Sequence, residues 1–308
     1  MQPIQGRARL FPRPRAARTL ALGCWMLPLR GVKSSKAASL FFGALLLGAL
    51  LVAGYFFFVG TSGGQCWDNQ GYAGRQVAGA DVRVFDTDIL QEVTKRSLLG
   101  AFAAIFLLSL VFRCPLAGVV LAAGGAVFGA EFLKHALPRA MLSPPLCPVP
   151  GYFSSDTYPS GHTTIGTSLA LAIVMVSGPR LRAWAAVAAG LMATSYATAV
   201  LFMGWHRPSD ALGGIAWSGF CFAAAAGLLV LIGGHHSLEE HVSKAIWLSG
   251  LLGLASIVGL LILPFSQPGS ARIPFLSMTA CIVAAGFAVP AWFAFALRGI
   301  SWRSLHRH

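Results

Sequence analysis

Runs of about 20 consecutive apolar residues, each long enough as a helix to cross roughly 30 Å of hydrocarbon, recur along the chain. Eight can be drawn, over 37–60, 97–113, 115–133, 161–178, 183–203, 209–232, 245–265 and 275–297. Only Arg113, Cys114 and Pro115 separate the second from the third. A tight turn there is expected rather than one very long helix, because proline breaks a helix interior. No run carries a charged residue near its middle, and the polar positions gather at the ends. Transporters and pumps place ionisable groups at the midplane, where each is costly, so this pattern points instead to chemistry at the membrane interface. The expected fold class is all-α: a polytopic transmembrane helical bundle of about eight spans.

Composition agrees. Of 308 residues, 56% are hydrophobic and only 11% charged, and the mean hydropathy is +0.69. A soluble domain of this size would carry more charge on its surface. With the N-terminus placed inside, 15 of the 23 Lys and Arg fall in interior segments, whereas eight of the ten acids fall in exterior ones. The net charge of +13 is therefore a topology signal of the positive-inside kind, and no nucleic-acid partner is inferred from it. This places both termini in the cytoplasm, and the protein in the cell (plasma) membrane.

The chain divides into a basic, Arg- and Pro-rich arm of low order over 1–36, a membrane core over 37–232, and two further spans with a basic tail over 233–308. The first span is too long for a signal-peptide core and is expected to stay uncleaved. Residues 61–96 form the longest exterior loop, and its last third has the composition of an amphipathic helix lying on the membrane. In the interior loop 233–244, the group His235, His236, Glu239, Glu240 and His241 reads as a solvated turn, because a short loop rarely fixes ligand geometry. The six cysteines contain no Cys-x-x-Cys pair. Cys66 and Cys147 alone fall in exterior loops; they would bridge on an oxidising face, and two free thiols is the alternative.

Three polar clusters remain. Pro159-Ser160-Gly161-His162 opens a span, with Ser160 near the N-cap, where first-turn amides and the helix dipole attract an anion. Gly161 permits close backbone approach, and His162 can present its imidazole to the same anion. In Gly204-Trp205-His206-Arg207-Pro208-Ser209-Asp210, Pro208 suits a first helical turn and Asp210 can reach back to His206. A carboxylate on one ring nitrogen leaves the other free as a nucleophile. The third cluster, Lys134 with Arg139, lies on the side where basic residues are disfavoured; two cations bracketing a phosphate would account for them, and Glu131 could orient Lys134. An ordinary capped helix, interface anchors and snorkelling cations explain each residue singly, but not the two similar histidine-bearing helix mouths.

In this order, the basic segment, Pro-Ser-Gly-His and His-x-x-x-Asp resemble the type 2 phosphatidic acid phosphatase (PAP2) family of integral-membrane lipid phosphatases. The resemblance covers residues of about 90 to 232 and implies a six-helix core, with the last two helices as additions. It implies that His206 is the nucleophile forming a phosphohistidine, that Asp210 orients it, and that His162 is the acid protonating the leaving oxygen. Lys134, Arg139, Ser160 and Gly161 then hold phosphate. No metal or other cofactor is implied, since cations and amides supply the charge stabilisation. Two positions depart from the family pattern. Four residues rather than six separate Lys134 from Arg139, with Pro138 before the arginine instead of a proline after it. Ala199 and Val200 stand where the family has Ser-Arg, with Arg207 as a candidate substitute.

The function expected from this reading is removal of phosphate from a phospholipid or polyprenyl (di)phosphate on the extracytoplasmic face, the partners being that lipid phosphate and the bilayer. Transfer of the phosphoryl group to another lipid is a close variant. A non-catalytic lipid-binding or lipid-translocating protein on the same scaffold is the alternative from another class.

Overall fold

A computed structural model describes residues 30–77, 103, 105, 107, 116–140, 142, 147, 157–232, 235–237, 245–262 and 271–302. Helix α1 (Arg30–Gly54) runs through a π turn at Tyr55–Val59 to Gly60. There follow α2 (Ser62–Ala73), α3 (Leu116–Ala136), α4 (Gly161–Val176), α5 (Arg182–Phe202) and α6 (Pro208–Leu231). Two more helices among the described residues, α7 (Ala245–Ile262) and α8 (Arg272–Ala296), follow. Among the described residues, five segments are long and apolar enough to cross a membrane: Ser35–Val59, Gly118–Ala136, Arg182–Phe202, Pro208–Leu231 and Arg272–Ala296. The expected spans 161–178 and 245–265 contain shorter apolar helices, over Gly161–Val176 and Ile246–Gly259. The expected span 97–113 lies largely outside the described residues, as do the basic arm before residue 30 and the amphipathic segment expected near 85–96.

Two features depart from the sequence reading. The loop after α1 begins with a helix: Thr61, in extended conformation, accepts from the Gly64 amide and starts α2 as an N-cap. Its polar sequence hides it from a search for apolar periodicity. The interior loop, read as a turn, contributes strand β1 (His235–Ser237), which pairs antiparallel with β2 (Ile300–Trp302). Residues 238–244 of that loop, including Glu239, Glu240 and His241, lie outside the described residues.

Helix α6 is the axis of the bundle, packed against α1, α3, α4 and α8. Small residues make this possible, because helices in lipid gain from close backbone approach rather than from the hydrophobic effect. At Gly214 a Cβ would meet the Ser160 carbonyl oxygen at 2.9 Å, so this glycine lets the start of α4 lie directly on α6. At the end of the bundle away from the histidines, the buried Arg182 donates to the carbonyls of Leu297, Ile300 and Ser177, and Trp302 Nε1 donates to Met175 O. These bonds tie the C-terminal helices to the core.

Candidate active site

The three clusters singled out in the sequence meet at one end of α6. Ser160 is the N-cap of α4: it is fully buried, and its Oγ accepts from the Thr163 amide at 3.3 Å. Its carbonyl takes the Thr164 amide, and its own amide donates to Asp210 O at 2.8 Å, fastening the mouth of α4 to that of α6. The amides of Gly161 and His162 are ahead of the helical ladder, where a helix has no intrahelical acceptor for them. A Cβ on Gly161 would stand 3.1 Å from Lys134 Nζ and 3.0 Å from Glu131 Oε1, so the glycine is what lets the α3 ammonium lie against the α4 mouth. Glu131 Oε1 accepts from Lys134 Nζ at 2.7 Å, one turn away, as the spacing anticipates.

Helix α6 starts as its sequence predicts, with Pro208 in the first turn and Asp210 closing a capping box on the Arg207 amide at 3.1 Å. The same Asp210 Oδ2 lies 3.5 Å from His206 Nδ1, an ion-pair separation slightly longer than a hydrogen bond. His206 is nearly buried, and its ring centroid lies 6.2 Å from that of His162, with the two planes tilted by 58°. Trp205, 43% exposed, packs beside His162 with 5.1 Å between ring centroids.

Arg139, just beyond α3, reaches the opening turn of α6. It is buried, and its Nη2 donates to Asp68 Oδ2 at 3.0 Å, Ser209 Oγ at 3.0 Å and Asp210 Oδ1 at 3.3 Å. Its Nε and Nη1 are buried without a partner among the described residues. A guanidinium kept out of water with two of its three nitrogens unsatisfied is costly unless something accepts from them. A phosphate oxygen would.

Asp68 was not singled out in the sequence. It comes from α2, is fully buried, and also accepts from Ser209 N at 2.9 Å and Ser209 Oγ at 2.7 Å. Burial raises its carboxyl above the ordinary 3.8, while the Arg139 guanidinium pulls the other way. Beside it Asn69 Oδ1 accepts from Arg207 Nε at 2.9 Å. Arg207, offered above as a substitute for a missing family arginine, thus runs toward α2; burial lowers its basicity, and Arg139 adds to that. Burial likewise raises the Tyr158 phenol, with Asp210 and Asp68 contributing; its hydroxyl donates to Leu51 O at 2.6 Å. Val200 is fully buried and serves through its carbonyl, which accepts from the Trp205 and His206 amides. No side chain at position 200 points a charge at the site.

Cys66 and Cys147 form a disulfide, the pairing that the exterior-loop reading allowed. It fastens α2 to the segment leading toward Ser160. The sequence signal for α2 was present but faint: Thr61 as a cap, then Gln65, Asp68, Asn69 and Tyr72 at spacings of three and four.

Residues 114–233 match the family model described as the PAP2 superfamily. This part of the chain, less than half of its length, is similar to that superfamily. No curated protein and no solved structure gives a significant match. The PAP2 segment contains α3 to α6, and with them Lys134, Arg139, Ser160, Gly161, His162, His206 and Asp210. Helix α2, with Asp68 and Asn69, lies outside it, as do α7 and α8. The association with phosphatase-type chemistry on lipid phosphates, and with membranes, comes with the superfamily.

Proposed function

We propose that the protein is a membrane phosphatase that removes phosphate from a phospholipid or polyprenyl (di)phosphate through a phosphohistidine. The observation that carries this reading is the pair His162 and His206, 6.2 Å apart by centroid, with Lys134 against the mouth of α4 and Arg139, whose Nε and Nη1 have no partner among the described residues, on the Asp210 carboxylate beside His206. Two imidazoles at that spacing, with two cations on the neighbouring residues, suit a phosphoryl group. In the proposed sequence Asp210 holds Nδ1 of His206, so the Nε2 lone pair attacks phosphorus. The P–N bond forms as the P–O bond to the lipid breaks, and His162 delivers a proton to the departing oxygen. Water then attacks the phosphohistidine, gives a proton to His162, and releases inorganic phosphate. Lys134, Arg139 and the amides opening α4 face the charge that builds on the equatorial oxygens.

The substrate class follows from position: a headgroup at a helix-end site is reached by a lipid whose chains remain in the bilayer. The sidedness follows from the basic residues, which put this end of the bundle on the extracytoplasmic face.

Phosphate release from a panel of lipid phosphates by purified protein tests the reading. His206→Ala is expected to abolish turnover, and His162→Ala to lower kcat by about 10²- to 10⁴-fold, the range of general-acid assistance. If both variants release phosphate like the parent, the enzyme reading is wrong. Lipid binding unchanged in a parent protein that never releases phosphate would favour the non-catalytic alternative.

A further inference from the structure

One face of α2 supplies a row of polar side chains to the segments that carry the site. Gln65, Asp68, Asn69 and Tyr72 recur at helical spacing, and all four are buried. Gln65 accepts from the Leu142 amide at 3.0 Å and donates to Ala140 O, bracketing the chain just after Arg139. Asp68 takes Arg139 and both donors of Ser209; Asn69 takes Arg207; Tyr72 donates to Gly204 O at 2.9 Å in the turn before His206. The disulfide at Cys66 adds a covalent tie on a neighbouring position. A 12-residue helix with so polar a buried face is not there to fill an apolar core.

We infer that α2 is a positioning element for the phosphate site and that Asp68 is its principal positioning residue, acting through Arg139. The inference rests on the phosphatase reading above and deepens it, because it lies outside the segment shared with the PAP2 superfamily. The physical reason is directional. Arg139 follows Pro138 in irregular chain, so no helix sets its side chain. Three acceptors converge on Nη2 alone, and two of them, Asp68 Oδ2 and Ser209 Oγ, are themselves bonded at 2.7 Å. That arrangement holds the guanidinium by one nitrogen and leaves Nε and Nη1 for an anion. Without Asp68 the neighbouring Asp210 becomes the one carboxylate on Arg139, and the guanidinium turns toward it and away from phosphate.

The test uses the purified full-length chain, with Asp68→Asn and Ser209→Ala. Three quantities are read: KM and kcat on a lipid phosphate, the inhibition constant of inorganic phosphate, and the melting temperature. Asp68→Asn is expected to raise KM and the phosphate inhibition constant together by about tenfold or more, the scale of one charge-assisted hydrogen bond. Ser209→Ala should move both in the same direction by less. A merely structural α2 would lower the active fraction, hence apparent kcat and the melting temperature, and leave KM and the inhibition constant where they were; that result overturns the inference. If Asp68→Asn does not fold, Ser209→Ala decides alone, with an unchanged inhibition constant counting against the proposal. Should the parent release no phosphate from any lipid, the phosphatase reading fails by itself. Direct titration with inorganic phosphate then still separates the two claims: equal affinity of parent and Asp68→Asn overturns the positioning role.

Discussion

Removing the charge of Arg139 tests the electrostatics at the centre of the site. Arg139→Met keeps much of the side-chain volume but leaves Asp68 and Asp210, both fully buried, without the guanidinium that bonds to each at 3.0 and 3.3 Å. Breaking a buried pair by deleting one partner costs about 3–5 kcal/mol, because the other charge stays buried and uncompensated. The double variant Arg139→Met with Asp68→Asn removes one of the two stranded charges and should recover a good part of that loss, while phosphate release stays absent. The pH dependence has a definite sign. Burial already lifts the Asp68 carboxyl above 3.8, and taking away Arg139 lifts it further. A carboxyl whose pKa is higher folded than unfolded lowers stability increasingly as pH rises through the window between the two values. Arg139→Met is therefore expected to be closer to the parent in stability at pH 5 than at pH 7.5. Thermal and denaturant unfolding in one detergent, at both pH values, provide the measurement. A single variant that loses under about 1 kcal/mol, or a double variant no more stable than the single one, would refute the claim that these three residues share a buried charge balance.

Two other outcomes follow from the packing. Gly214→Ala places a methyl 2.9 Å from the Ser160 carbonyl, a backbone atom that cannot step aside, so α4 must shift at its mouth. We expect a loss of about 1–3 kcal/mol by unfolding assays, with a larger fall in phosphate release than Gly161→Ala, where the neighbours are the flexible ends of Glu131 and Lys134. Converting both Cys66 and Cys147 to Ser frees α2 from the chain that leads to Ser160. It should lower the unfolding free energy by about 2–4 kcal/mol and raise KM for lipid phosphate; equal KM in parent and variant would show that the other contacts of α2 are sufficient.

Much of this protein can be read from its residues in order. Apolar runs are a local property, so the positions of α1, α3, α5, α6 and α8 are written in composition, and a cap such as Ser160 or a first-turn proline such as Pro208 marks where a helix opens. The motif residues Lys134, His162, His206 and Asp210 could be picked out because each stands at the end of such a run and because two similar histidine-bearing helix mouths recur. The pairing of Lys134 with Glu131 was likewise a matter of helical spacing.

What stayed hidden depends on contacts between segments far apart in the chain. Asp68 and Arg139 are 71 positions apart, and Asn69 and Arg207 are 138 apart. Helix α2 has no apolar stripe to announce it, since the face it buries is satisfied by hydrogen bonds to other elements. Nor does any pattern show that Arg207 Nε donates to Asn69 of α2, because a side chain's direction is decided by whichever partner the fold brings within reach. Sequence alone thus determined which stretches can lie in a membrane and which end of the bundle holds the titratable groups. Only the folded chain decided how those groups are aimed, because long-range hydrogen bonds become strong, and therefore directional, once tertiary packing has excluded water from around them.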